Sequence, residues 1–498
     1  MTNDRGKSDR EVVPEKLPNE ADNHAEEAME GSNRAKGNSA KRDKPWTLSQ
    51  PGLPSALERV GQAARQDRKI RFTALMHHIY DVGRLREAYK GIAHDAAAGI
   101  DGETWRHYGE KLEENLQDLS GRLARGAYRA RPVRRVYIEK ADGRKRPLGV
   151  PALEDKIVQR ASVEVLNAIY EADFLGFSYG FRPGRSQHRA LDALATAIYR
   201  KKVNWILDAD IRAFFDSVSW EWLVRFLEHR IADRRLVRLI GKWLKAGVLE
   251  DGRLLEVERG TPQGAVISPV LANIYLHYVY DLWVQQWRRR RAGGEVIVVR
   301  YADDTVVGFQ HRSEAERFLD ELRQRLQKFG LELHPQKTRI IEFGRLAARK
   351  RKARNLGKPE TFAFLGFTHI CGTSRGGTFL ILRHTVRERL REKLRQVKET
   401  IWRMMHRPIA EQGLYLKRVV NGFLNYFAVP TNSRAINSFY RHVGWYWCRA
   451  LRRRGQISRL TWQRMKRLTD LWLPPARLRH PLPDVRFSVM TQGRSQVR

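Results

Sequence analysis

Val296-Ile297-Val298-Val299-Arg300-Tyr301-Ala302-Asp303-Asp304-Thr305-Val306-Val307-Gly308 sets the reading of the whole chain. Two β-branched runs flank a short polar dipeptide, the pattern of a tight β-hairpin. The hairpin carries two adjacent carboxylates at its turn, buttressed by apolar strands. Carboxylates placed so are costly to desolvate unless they meet a metal or a basic group. An ordinary Asp-Asp turn is the bland alternative, because Asp is a common turn residue.

Upstream, Val203-Asn204-Trp205-Ile206-Leu207-Asp208-Ala209-Asp210 predicts a second strand ending in acids. Ile211-Arg212-Ala213-Phe214-Phe215-Asp216 follows, and a helix is expected from Ser219 with Trp222, Phe226 and Leu227 on its buried face. If this strand neighbours the hairpin, Asp210, Asp303 and Asp304 converge within reach of two divalent ions. Mg²⁺ prefers oxygen ligands and keeps waters and substrate phosphates. A pair of ions about 4 Å apart activates an attacking hydroxyl and stabilises the leaving oxygen in phosphoryl transfer. Between the acids lies Arg259-Gly260-Thr261-Pro262-Gln263-Gly264-Ala265-Val266-Ile267-Ser268-Pro269, a punctuated loop opening a helix through Leu271, Ile274 and Tyr275. Glycines beside Gln263 let its backbone and amide approach a flat ligand closely.

Further towards the amino end, Arg131 to Lys140 alternates as a strand and turns at Ala141-Asp142-Gly143. The return strand brings Arg144, Lys145 and Arg146 beside Lys140. Such cations suit a triphosphate or a nucleic-acid backbone, or they guard a sheet edge against aggregation. Phe177 to Ser186 mixes aromatics, glycines and arginines in a loop, open to base stacking or to core packing.

Composition narrows the partners. The 498 residues hold 93 Lys and Arg against 56 Asp and Glu, a net charge of +37. An excess of that size points to a polyanion, most often nucleic acid. No apolar run approaches the roughly 20 residues that span a bilayer. Only Cys371 and Cys448 are present, so a disulfide framework and a Cys-rich zinc site are excluded and a reducing compartment is expected. Residues 1–50 have no aromatic before Trp46 and are expected to form a disordered leader. In the carboxyl third, apolar residues recur at helical spacing from Val386 to Met404, Leu416 to Phe427 and Ile436 to Trp447, and Thr461 is expected to cap a fourth helix. Residues 381–498 carry 26 Lys and Arg and 6 Asp and Glu, with Trp402, Trp445, Trp447 and Trp462 interleaved. That mixture favours a nucleic-acid surface over a merely solvated face.

The blocks in order resemble reverse transcriptases of the group II intron-encoded type, which also act as maturases. They run from Gly99-Ile100-Asp101-Gly102 through Arg146 to Pro151, Tyr179-Gly180-Phe181-Arg182-Pro183, Asp210 to Asp216, Thr261 to Gly264, Tyr301 to Asp304 and Phe364 to Phe367. The resemblance covers about residues 70–450. It implies an α+β right-hand polymerase: a leader at 1–50, amino extension and fingers at 51–200, palm with primer grip at 201–375, a helical thumb or maturase domain at 376–455 and a basic tail at 456–498. Asp210, Asp303 and Asp304 would then be the catalytic, metal-binding triad for two Mg²⁺ ions, with the Ile211 carbonyl as a further ligand. Lys140, Arg146, Phe215, Gln263 and Lys337 match nucleotide-binding positions, Phe215 lying under the sugar to exclude a 2′-hydroxyl. Phe364, Leu365, Gly366 and Phe367 match the primer grip, and Arg452, Arg453 and Arg454 are assigned to RNA. Glu139 stands where a proline is usual, and Thr305 where a phenylalanine is usual.

The implied activity is RNA-directed DNA synthesis together with help to the intron RNA in splicing and retrohoming. Partners would be intron RNA, a DNA target and primer, and dNTPs, without a membrane and with self-association left open. The setting would be cytoplasmic, at the nucleoid in a bacterium. No nuclease motif is visible after Pro475, which suggests a branch lacking that extension and a primer from elsewhere. A free-standing defence or repair reverse transcriptase is one rival, and an RNA-binding splicing factor with a vestigial polymerase is the other.

Overall fold

The computed structural model describes residues 55–139, 145–250, 253–255, 258–374, 376–455 and 460–486. The leader 1–50, the Ala141-Asp142-Gly143 turn, Arg144 and Lys140 lie outside the described residues, as do 456–459 and 487–498 of the basic tail.

Eleven strands among the described residues form three sheets. In the first, β1 (Val133–Glu139) pairs antiparallel with β2 (Lys145–Val150). The central sheet begins with β3 (Trp205–Ala209). β4 (Val248–Glu250) and β5 (Arg253–Leu255) extend the first sheet, β4 lying parallel to β1 over a short stretch. The central sheet is completed by β6 (Val296–Tyr301), β7 (Asp304–Phe309) and β8 (Arg339–Glu342), in the order β6-β7-β3-β8 and antiparallel throughout. A third sheet joins β9 (Phe362–Phe364), β10 (Phe367–Thr373) and β11 (Phe379–Thr385).

The β6–β7 hairpin forms as expected, and the reason for its unbroken apolar runs is now visible. Both faces of the central sheet are covered. Val296, Val298, Leu207, Val307 and Phe309 enter one hydrophobic cluster, with the helices Leu153–Tyr170, Trp220–Glu228 and Ser268–Leu276. Ile297, Val299, Ile206, Val306 and Ile341 enter a second, with the helix Gln187–Arg200 and the carboxyl-terminal helices. Strands buried on both faces lose the apolar-polar alternation of a half-exposed sheet. Of the carboxyl-terminal helices, Arg387–Arg403, Ile409–Phe427 and Ser433–Arg452 follow the apolar stripes of the sequence. Trp462–Trp472 starts where Thr461 accepts the Arg464 N–H, as expected of a cap. No described helix is long and apolar enough to cross a membrane.

Candidate active site

Strand register brings the acids together. β6 and β7 pair Tyr301 with Asp304, leaving Ala302 and Asp303 as a two-residue turn with Asp304 opening β7. β3 runs antiparallel to β7 with Ala209 opposite Thr305. One more step of that register sets Asp210 across from Asp304. On the other side, β3 pairs Asp208 with Arg339 of β8, and two further steps reach Lys337. Its ammonium lies 2.8 Å from the Asp210 carboxylate. Asp208 and Asp304 share strand parity with Ile206 and Val306, so these acids face the carboxyl-terminal helices.

The electrostatics follow from this crowding. Burial, then the Asp210 charge, raises the Asp303 carboxyl, and Arg146 and Arg300 oppose the rise. Burial, then Asp303, Asp210 and Asp208, raises Asp304, while Arg389 of the first carboxyl-terminal helix pulls it back. Solvent reaches the Asp304 side chain and part of Asp303. Charge repulsion among the neighbours therefore adds to the burial by the dense protein beneath the turn. Asp208, half-buried, is pushed up to about 6 by burial, with Asp210 adding and Arg339 opposing. Asp208 was not among the site residues expected from sequence; its placement two residues before Asp210, on the same face, was the available signal.

Clustered anionic side chains with raised pKa values fit a divalent cation. Among the described residues no three His, Cys, Asp or Glu side chains are grouped closely enough to hold a metal ion by themselves. An open, partial donor set is what Mg²⁺ uses when waters and substrate phosphates complete its shell. Ile211 is anchored beside the acids by a bridge to Leu333, and the Asp210 carbonyl accepts the His334 N–H at 2.8 Å.

A buried network that the sequence did not announce holds the turn from below. Arg300, fully buried, donates to both oxygens of Asp281 at 2.7 and 2.6 Å, to the Asn273 amide oxygen at 3.1 Å and to the Ser178 hydroxyl at 2.7 Å. It also donates to the Ala302 carbonyl at 2.9 Å, inside the turn that carries Asp303. Ala302 itself has φ +53°, an uncommon value for a residue other than glycine. Asp281 is delivered by a π-helical turn, His277–Asp281, that interrupts the helix running from Ser268 to Arg290. Gly180 packs on the same turn: a β-carbon there would lie 2.3 Å from the Ala302 nitrogen. Thr305, the departure from the usual phenylalanine, is buried and donates its hydroxyl to that of Tyr280 at 2.9 Å.

The remaining predicted residues fall into three places. Arg146 and Gln263 meet, the guanidinium donating to the amide oxygen at 3.1 Å, and the Gly149 N–H donates to the Gln263 carbonyl at 2.6 Å. Phe215 is half-buried next to this loop, its carbonyl accepting the Thr261 N–H at 2.7 Å. Phe364 to Phe367 form the tight turn between β9 and β10, with φ +46° at Leu365 and +78° at Gly366. The Tyr426 hydroxyl donates to the Leu365 carbonyl at 2.8 Å and fixes it. Arg452, Arg453 and Arg454 lie at and just past the end of Ser433–Arg452, and each has an internal contact. Arg452 donates to the Leu460 carbonyl, Arg454 to that of Met405, and Arg453 lies 4.7 Å from the Trp402 ring centre. In the loop 177–186, Arg182 is turned inward onto Glu171 and the Ser178 carbonyl, whereas Phe181 is exposed.

Acids at the ends of the central strands, with an arginine, a glutamine loop and a lysine near them, form a cluster suited to phosphate chemistry. Comparison with known proteins specifies the family. Residues 138–369 match the reverse transcriptase (RNA-dependent DNA polymerase) family. The chain is 31% identical over 392 residues to protein YkfC of Escherichia coli, which covers 72% of this chain and 94% of YkfC. It is 34% identical over 250 residues to the group II intron-encoded protein LtrA of Lactococcus lactis, covering 50% of this chain and 41% of LtrA. It is 47% identical over 146 residues to a 91 kDa protein of the cob intron of Schizosaccharomyces pombe, 29% of this chain and 18% of that protein. The chain belongs to the reverse transcriptases, in the group II intron-encoded reverse transcriptase and maturase group.

Proposed function

We propose that this chain copies RNA into DNA with the acids at the end of the central sheet, and binds its intron RNA to assist splicing and retrohoming. The observation that carries the reading is the register that sets Asp210 opposite Asp304, beside Asp303, on the face turned towards the carboxyl-terminal helices. In this reading the first sheet belongs to the fingers, the central sheet is the palm and the helices from Arg387 onward are the thumb. Asp210, Asp303, Asp304 and the Ile211 carbonyl would hold two Mg²⁺ ions. When bound, the ions lower the pKa of the primer 3′-hydroxyl and neutralise charge on the leaving pyrophosphate.

The chain's own residues do the rest. Arg146, whose charge acts on Asp303, and Lys337, paired with Asp210, would take the triphosphate, Lys337 exchanging its Asp210 partner for phosphate oxygens. Arg146 also orients Gln263, whose backbone is tied to Gly149, so the nucleotide pocket is braced between two segments. The Phe364–Phe367 turn, fixed by Tyr426, would hold the primer end. The dNTPs, a DNA primer and target, and the intron RNA are the partners.

The test is extension of a DNA primer annealed to RNA, with dNTPs and Mg²⁺, alongside splicing of the cognate intron at limiting Mg²⁺. Extension on RNA that stops when Mg²⁺ is chelated is expected. A chain that binds RNA and promotes splicing but never extends a primer would overturn the polymerase part.

Sugar selection gives a finer test. With Phe215 under the deoxyribose, Phe215→Ala opens room for a 2′-hydroxyl. Discrimination between deoxyribonucleotides and ribonucleotides should fall about 10-fold or more, the range that small steric differences command in a pocket. The ratio of kcat/KM for dATP and ATP reads this directly, and an unchanged ratio would show that Phe215 only packs against the core.

A further inference from the structure

We infer that the basic helix Ala347–Ala353, with the corner it forms against Tyr199, is a second nucleic-acid contact that takes a phosphate backbone far from the catalytic acids. The inference goes beyond the polymerase reading and concerns a surface which that reading leaves without a role.

The stretch Arg345 to Lys358 contains seven Lys and Arg and no Asp or Glu. Two of the seven hold the segment to the sheet. Arg351 and Arg354 pair with Glu342, a buried acid at the end of β8, and Arg351 also reaches Glu360. Arg349, Lys350, Lys352 and Lys358 are exposed and have no ion pair among the described residues. Arg349 and Lys352 stand three apart on the helix, a spacing at which like charges repel. A seven-residue helix loaded this way gains nothing from its own surface charges. A polyanion would relieve them.

The neighbouring helix end adds an aromatic. Arg345 donates to the Tyr199 carbonyl at 2.8 Å, and its guanidinium lies 5.5 Å from the Tyr199 ring centre. Tyr199 is 40% exposed. Arg200 and Lys202 are exposed beside it, while Lys201 is spent on Glu295. An exposed ring backed by a guanidinium and surrounded by free cations is the mixture that holds a nucleic-acid strand by its backbone, with a base free to stack.

Strand register gives the separation from the active site. Glu342, the anchor of the basic helix, pairs with Trp205 at the start of β3, while Asp210 lies past its end. Five residues at about 3.3 Å each put roughly 16 Å between the two ends of the strand. The same nucleotide cannot touch both. The corner therefore suits a long or folded strand, and the shared chemistry is the phosphate backbone of RNA or DNA.

The test is a triple variant of the full chain, Arg349→Gln, Lys350→Gln and Lys352→Gln, which leaves Arg351, Arg354 and their Glu342 partner intact. Affinity for a long structured RNA and for DNA of equal length would be measured across a salt series. With three cations no longer meeting phosphates, the slope of log K against log salt should shrink by about 2 to 3. Affinity should fall by at least about tenfold at low salt. A loss on RNA alone would assign the corner to RNA, and an equal loss on both to the backbone whatever the sugar. The comparison variant is Arg106→Gln, Lys111→Gln and Arg125→Gln, three exposed cations elsewhere that lack ion pairs among the described residues. An unchanged slope in the first variant, or the same loss in the second, would overturn the inference. The maximal extension rate at saturating primer–template should be unaffected. A wild-type chain that fails to extend any primer would sink the polymerase reading and leave the binding result standing.

Discussion

Asp303→Asn is expected to lower primer extension on RNA by roughly 10²- to 10⁴-fold, the equivalent of losing several kcal/mol of metal-borne charge stabilisation. The substitution keeps the shape of the side chain and removes one formal charge and one ligand oxygen. Stability should move the other way. Burial and the Asp210 charge hold the Asp303 carboxyl above its ordinary range, so its ionised form is disfavoured by folding. A raised carboxylate costs stability above its unfolded pKa, and a neutral amide removes that cost. The variant should therefore melt at the same temperature as the parent or slightly higher while losing activity. RNA binding, if carried by cations elsewhere as proposed, should be little changed. Extension within a few-fold of the parent would remove Asp303 from the catalytic set. A clear fall in melting temperature would show instead that the acid is a structural part of the turn.

The two halves of the site were not equally legible in the sequence. The acids were, because β-branched runs on both sides of Asp303 and Asp304 leave few alternatives to a hairpin, and the run before Asp210 ends in the same way. Helix starts such as Ser219 and Thr461 were legible through their caps, each hydroxyl accepting the N–H three residues on. The support beneath the acids was not. Arg300 stands within the hairpin sequence, yet its partners Asp281, Asn273 and Ser178 lie 19, 27 and 122 residues away. No local periodicity announces such a meeting, and nothing in His277-Tyr278-Val279-Tyr280-Asp281 advertises a π-helical turn. Lys337 had the opposite history. The resemblance pointed to phosphate, and register explains why it can reach: β8 sets it beside Asp210. At Arg452 to Arg454, composition counted three cations, and two of them also donate to carbonyls, Arg454 to Met405 just past the helix Arg387–Arg403 and Arg452 to Leu460 just before the helix Trp462–Trp472. Charge counts do not show which cations are already engaged.

Arg300→Met should be among the most destabilising single changes in this chain. It leaves the Asp281 carboxylate fully buried and without its cation, a situation that costs about 3–5 kcal/mol in buried pairs. Urea midpoints would report the loss, with extension falling alongside. The informative variant is the double one, Arg300→Met with Asp281→Leu. Replacing both members of a buried pair by apolar side chains is often neutral or stabilising, so the midpoint should recover in part, short of the parent by the cost of the buried acceptors that still lack Arg300 as donor. Activity should not. Arg300 also donates to the Ala302 carbonyl, the Asn273 amide oxygen and the Ser178 hydroxyl, and no apolar side chain replaces those bonds. Without them the turn that carries Asp303 loses its fixed position, and a misplacement of about 1 Å at a catalytic group can cost roughly 100-fold in rate. Partly recovered stability with extension still depressed at least tenfold is the expected pair of results. A double variant that regains full extension would reduce Arg300 to a charge partner for Asp281 and leave the turn held by the strands alone.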